Sequence, residues 1–236
     1  MQKKTVQYYR EVSRTMDEGL RRYILSVFSY MSIGLFLTAL VGGLAASSSA
    51  LCSVIFSSRL TYFVVAFAPM GIAIYLGAKI NDISAEKART LFFVYSGLLG
   101  LSLSSLVLIY TAASLCYTFF VASSMFLSMA LYGYTTQKDL TGWGSFLFMG
   151  LVGIVIAGLV NIFLQHQVFD LVISAIGVIV FTGLTAYDMQ NIKGIYMDSD
   201  STEVGSKKAV IGALHLYLDF INLFLHLLRF LGSRRN

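Results

Sequence analysis

The sequence predicts an all-α polytopic membrane protein with seven transmembrane helices, and three observations carry that prediction. Apolar residues make up 57% of the 236 positions, charged residues only 12%, and there is a single proline; a water-soluble globule is not built this way. Seven apolar stretches, near 24–46, 60–80, 90–110, 112–133, 143–164, 169–191 and 209–231, are each long enough to cross about 30 Å of hydrocarbon at about 1.5 Å per residue. The last of them carries His215, Asp219, Asn222, His226 and Arg229 at steps of four, three, four and three, which places all five on one stripe of an otherwise apolar helix. A carboxylate at bilayer depth costs roughly 2.5–3.5 kcal/mol on insertion scales, so Asp219 belongs in a bundle interior.

The connections are short, so the spans form one domain: a cytoplasmic N-terminal segment 1–22, a transmembrane domain 23–232 and a basic tail 233–236. The net charge of +5 is no sign of nucleic acid, because its distribution follows membrane topology. With the N-terminus inside, 13 of the 17 Lys and Arg residues face the cytoplasm and only Arg59, Arg229, Arg234 and Arg235 face out, as the positive-inside rule requires. A re-entrant seventh segment would return the last three to the cytoplasm, but its length suffices for a full span. The first apolar run follows about two dozen mostly polar residues and reads as a signal-anchor helix. Compact size and short loops suit a bacterial inner membrane, with an endomembrane as the alternative.

Taken in order, residues 1–22 alternate charge with Tyr8, Tyr9, Val12, Met16 and Leu20 and predict an amphipathic helix on the inner surface. Ala45 to Ala50 is a small-residue loop after the first span. The second span contains Pro69, where a missing backbone hydrogen bond favours a kink. Lys79 closes it, and the charged connection Asn81 to Arg89 follows. Gly and Ser residues in the third and fourth spans allow close helix approach. Asp139 or Thr141 is placed to cap the fifth, with Tyr134 and Trp143 at belt positions. Cys52 and Cys116 are too dispersed for a disulfide or metal site.

The sixth span begins near Asp170 at the outer edge and ends with Asp188 about a turn above the inner face. The seventh climbs from that face, which puts Asp219 two to three turns above it. Two carboxylates brought together in a low-dielectric cavity cannot both ionise cheaply; they share a proton, and the titration belongs to the pair. Their hard oxygens suit Ca²⁺, although two carboxylates fall short of its six to eight ligands, so carbonyls and water must complete a transient site. His215, Asn222 and His226 flank Asp219 as candidate pathway-lining groups, and Lys79 and Arg89 are the basic side chains placed to reach an inner-leaflet carboxylate. The stretch Ile195 to Lys208 reads as a mobile loop over the acids.

Thr185-Ala186-Tyr187-Asp188-Met189-Gln190, Leu216-Tyr217-Leu218-Asp219-Phe220-Ile221-Asn222 and Gly133-Tyr134-Thr135-Thr136 with Asp139-Leu140 resemble the Bax inhibitor-1 family of membrane proteins. The resemblance covers nearly the whole chain and implies six helices around a central seventh, a pH-sensitive Ca²⁺ leak and a di-aspartyl latch, onto which Asp188 and Asp219 fall. In that family a basic residue near the second helix partners the latch. Here no arginine ends the second span, which leaves Lys79 and Arg89 as the candidates.

The leading expectation is thus a cation leak, with no cofactor, whose partners are the bilayer, Ca²⁺ and protons. A non-transporting regulator that binds other membrane proteins, such as a protease or a cell-death factor, is the alternative. An intramembrane aspartyl protease is remote, since the second acid lacks a Gly-x-Gly-Asp setting and no Pro-Ala-Leu segment exists; the chain is not expected to be an enzyme.

Overall fold

The computed structural model describes residues 2–55 and 57–235, and of residues 2–17, Arg59 and Tyr62 the backbone alone. The chain folds as eight helices: α1 (Gln2–Ser47), α2 (Ser49–Ile55), α3 (Arg59–Lys79), α4 (Ala85–Ile109), α5 (Ala112–Thr135), α6 (Thr141–Leu164), α7 (Gln167–Gly194) and α8 (Thr202–Leu231). Among the described residues six stretches are long and apolar enough to cross a membrane: Glu18–Ser47 of α1, and α4 to α8. The remaining expected span falls on α3, whose described apolar run, Phe63–Lys79, is shorter.

Short polar side chains start most of these helices. Ser58, Ser84, Thr111 and Ser201 accept backbone N–H groups from the first turns of α3, α4, α5 and α8, which satisfies donors that have no partner within the helix. Asp139 accepts the Thr141 amide at 2.9 Å, so of the two capping candidates it is Asp139 that serves α6. At its other end α6 stops at Gln165, which turns left-handed at φ 50° and lets α7 fold back.

Helix α8 is the most enclosed. Two-thirds of its apolar window is buried, against 6% for α6. It packs on α7, α1, α5 and α4, whereas α6 is joined to the bundle through α7. Small residues permit the tightest crossings: α1 meets α4 where Gly100 lies on the Thr38 backbone, and α5 meets α7 where Gly133 lies on the Ala186 carbonyl.

Two expectations are corrected. The stretch Ala45 to Ala50 is not a loop, since α1 continues to Ser47 and α2 begins at Ser49. Residues 202–208 are not part of a loop either: Ser201 caps α8 at Thr202, so the α7–α8 connection is only residues 195–201. Lys208 ties that connection down by donating to Ile195 O at 2.8 Å and to Asp200 at 2.6 Å. The expected division at 22/23 falls within α1, and the amphipathic reading of 1–22 rests mainly on side chains outside the described residues.

The C-terminal tail lies at the opposite end of α8 from that connection. Thr111 N donates to Ser233 O at 3.1 Å and Arg235 N to Ile109 O at 2.8 Å, so the tail sits beside the α4–α5 turn. Helix α8 therefore runs the length of the bundle and does not turn back on itself.

Candidate functional site

Helix α7 ends in a segment in which each side chain has a separate task. Thr185 is fully buried and returns its hydroxyl to Phe181 O at 2.8 Å. Ala186 presents its carbonyl to Gly133 of α5, and the Tyr187 ring lies over Gly144 of α6. Gln190 donates to Lys138 O and accepts from Leu140 N, both at 2.8 Å, and Lys193 donates to Tyr134 O at 2.8 Å. The runs 133–140 and 185–190, distant in sequence, are thus two sides of one joint. That joint fixes the rotation of α7, and with it the direction in which Asp188 points.

Asp188 points at α8. Its carboxyl faces that of Asp219 within interaction range, and Asp219 is 4% exposed. Asp219 Oδ2 has no conventional N–H or O–H donor among the described residues. Two carboxyl groups facing each other away from water meet at low cost only when a proton lies between them. His215, one turn before Asp219 and at the exposed edge of α8, lies within electrostatic reach of Asp188. It is the basic-capable side chain that the pair meets.

The other candidates are placed differently. Lys79 pairs with Asp82 at 3.0 Å on the surface, and Arg89 is exposed on α4; neither is brought to the acids. Asn222 donates to Leu218 O of its own helix at 2.8 Å. His226 is 7% exposed, stacks on Phe181 at 5.6 Å between centroids, and fits against Gly177, where a Cβ would lie 2.6 Å from the imidazole Cγ. Arg229 donates to Asp170 at 3.1 Å. The polar stripe of α8 therefore faces α7 at Asp219, His226 and Arg229, and joins the two helices near both ends.

Some polar groups around the acids carry no motif. Tyr217, two residues before Asp219 and fully buried, meets Thr38 of α1 at 2.5 Å between oxygens. Thr38 already directs its own proton to backbone carbonyls, Ser96 O at 2.8 Å and Gly34 O at 2.9 Å, so Tyr217 is the donor. A lone threonine in an apolar helix gives no hint of this. The pairing of Asp170 with Arg229 was in principle legible, as opposite charges at the same predicted end of adjacent antiparallel spans.

Oxygen ligands at the pair are few. Among the described residues no group of three or more His, Cys, Asp or Glu side chains could hold a metal ion. A Ca²⁺ ion at Asp188 and Asp219 would need carbonyl and water oxygens to approach its usual ligand number.

Residues 20–236 match the family model described as inhibitor of apoptosis-promoting Bax1. The chain is 48% identical over 219 residues to the inner membrane protein YbhL of Escherichia coli K12, covering 92% of this chain and 94% of the relative. An uncharacterized protein of Rickettsia prowazekii is 47% identical over 224 residues, 95% and 94% of the two chains. An uncharacterized membrane protein of Streptococcus pyogenes is 33% identical over 218 residues, 92% and 94% of the two.

Proposed function

The chain belongs to the Bax inhibitor-1 family, and we propose that it is a pH-sensitive leak for Ca²⁺ in which Asp188 and Asp219 are the gate. It is a multi-pass inner-membrane protein. The observation that supports the proposal is the facing of two carboxyls on neighbouring helices, one of them almost fully buried. While the proton is shared, the contact bridges α7 and α8. Loss of it leaves two negative charges face to face in a low-dielectric site, where repulsion is strong. A divalent cation relieves that repulsion, so protons and Ca²⁺ compete for the same oxygens. His215 adds an imidazole at the exposed side of the pair. The two acids, each on its own helix, thereby supply a two-state element biased by both ligands.

The test is Ca²⁺ flux into liposomes holding the purified protein, from about pH 6 to about pH 8 where unperturbed imidazole titrates, beside Asp219→Asn. Asparagine keeps the volume and can donate to Asp188, so the fold is retained. The expected result is a flux that changes with pH in the wild type and not in the variant. A variant with the wild-type profile overturns the gate. No wild-type flux at any pH overturns the leak and leaves a membrane regulator that works through a protein partner.

A further inference from the structure

Helices α1 and α5 both lean on α8 without forming a helix pair with one another. Between them lie two adjoining cavities of about 400 Å³ and about 370 Å³. They share Leu35 and Ala39 of α1, Phe119 of α5 and Phe220 of α8, so they form one continuous groove. Its lining runs from Phe28 to Gly42 along α1 and from Leu115 to Leu127 along α5, a length of about 20 Å at the helical rise. Both stretches lie inside membrane spans. The groove is thus longer than the roughly 15 Å depth of one leaflet's hydrocarbon and opens towards lipid.

From this geometry we propose that the α1–α5 groove is a binding site for an acyl chain of a bilayer phospholipid. Three observations select that occupant. The walls are almost wholly apolar, and Thr38, the polar group beside the shared residues, already spends its hydroxyl on Tyr217 and on backbone carbonyls. Water therefore has too few partners to stay. An acyl chain has the right length and width. The floor is rigid, since Phe220 is held edge-on by Phe119 at 5.4 Å and by Phe126 at 5.6 Å between centroids.

In lipid, contact and not hydrophobicity decides occupancy, and an unfilled groove forfeits the dispersion contacts of its walls. A chain seated there gains contact with three helices at once. It also touches Phe220, the residue after Asp219, so bilayer composition bears on the part of α8 that carries the buried acid. The assignment stands on the groove and the membrane setting, independently of Ca²⁺ transport.

Photolabelling tests it without a flux measurement. The full chain is placed in phosphatidylcholine vesicles containing a phosphatidylcholine with a diazirine on its acyl chain, irradiated, and its adducts are mapped by mass spectrometry. Adducts on 28–42 and 115–127 are expected several-fold above those on the α6 face around Ile162 and Phe163, which is open to lipid. Ala39→Trp fills the shared centre from an exposed position and is expected to remove most groove adducts while leaving those on α6 unchanged. Groove labelling no denser than on α6 overturns the site, whatever the variant does. A diazirine fatty acid that labels the groove at trace level and displaces the phospholipid overturns the phospholipid assignment. So does a cross-link in the groove to a second protein chain.

Discussion

Ser102 of α4 donates its hydroxyl to the carbonyl of Val65 in α3 at 2.6 Å, and Val65 stands four residues before Pro69. In a regular helix that carbonyl accepts the N–H of residue 69, which proline does not have. The neighbouring helix thus supplies the missing donor, and α3 passes through Pro69 as one helix from Arg59 to Lys79. The proline read as a kink and the serine that supplies the donor lie in different helices and could not be joined without the fold.

Ser102→Ala leaves the Val65 carbonyl without its donor, at a cost of about 1 kcal/mol or more. The expected outcome is a lower thermal midpoint in detergent, with faster hydrogen exchange confined to the middle of α3. Ser102→Thr keeps the hydroxyl and is expected to retain most of the stability. Equal exchange in wild type and alanine variant would show that α3 does not depend on this bond.

Gly133 and Gly153 separate two opposing effects of the same substitution. Alanine is favoured over glycine inside a helix by about 1 kcal/mol, and at Gly153 nothing lies within 4 Å of the new Cβ, so Gly153→Ala is expected to raise the melting temperature. At Gly133 the new Cβ meets the Ala186 backbone carbonyl, which has no rotamer to give way. Overpacking of about 1–3 kcal/mol then outweighs propensity, and Gly133→Ala is expected to melt lower. Matched thermal scans of the two variants check the pair; a Gly133→Ala as stable as wild type would mean that α5 and α7 separate freely.

Asp139 carries a pH signature outside the spans. Its hydrogen bonds from the Thr141 hydroxyl and amide hold its carboxyl below the usual carboxylate value. A carboxyl depressed on folding contributes stability that is fully present above its unfolded value, near 3.9, and is lost as pH falls through its folded value. The melting gap between wild type and Asp139→Ala is therefore expected to be open at neutral pH and to close as pH drops below about 4. A gap that is unchanged at low pH assigns the effect to the backbone of the α5–α6 turn and not to the carboxylate.

Much of this was legible because bilayers impose simple rules. An apolar run of about twenty residues has few alternatives to a spanning helix, so the six spans could be read directly. A step pattern of four and three defines a helical face, and the five polar residues of the last span did share one. Asp188 was legible as the partner of Asp219, but the basic neighbour of the two acids was not. Lys79 was a plausible neighbour of the acids by its depth, yet Asp82 sits three residues on and takes it at the surface. His215 became the base near Asp188 through the rotation of α7, which follows from Gln190, Lys193 and Ala186 docking on the run 133–140. The start of α8 at Thr202 was hidden by the charges of 203–208, which are polar because that turn is wet and not because it is irregular.

The sequence by itself determined the solvent, the helical class, six of the seven expected spans and the face of α8 that had to be enclosed, since each depends on composition or on period along one segment. Tertiary structure alone decided the other meetings: His215 with Asp188, Tyr217 with Thr38, Ser102 with Val65, and the open groove between α1 and α5. Those contacts depend on the relative rotation and spacing of helices, set by where small residues let backbones approach, and that information is spread over several segments at once.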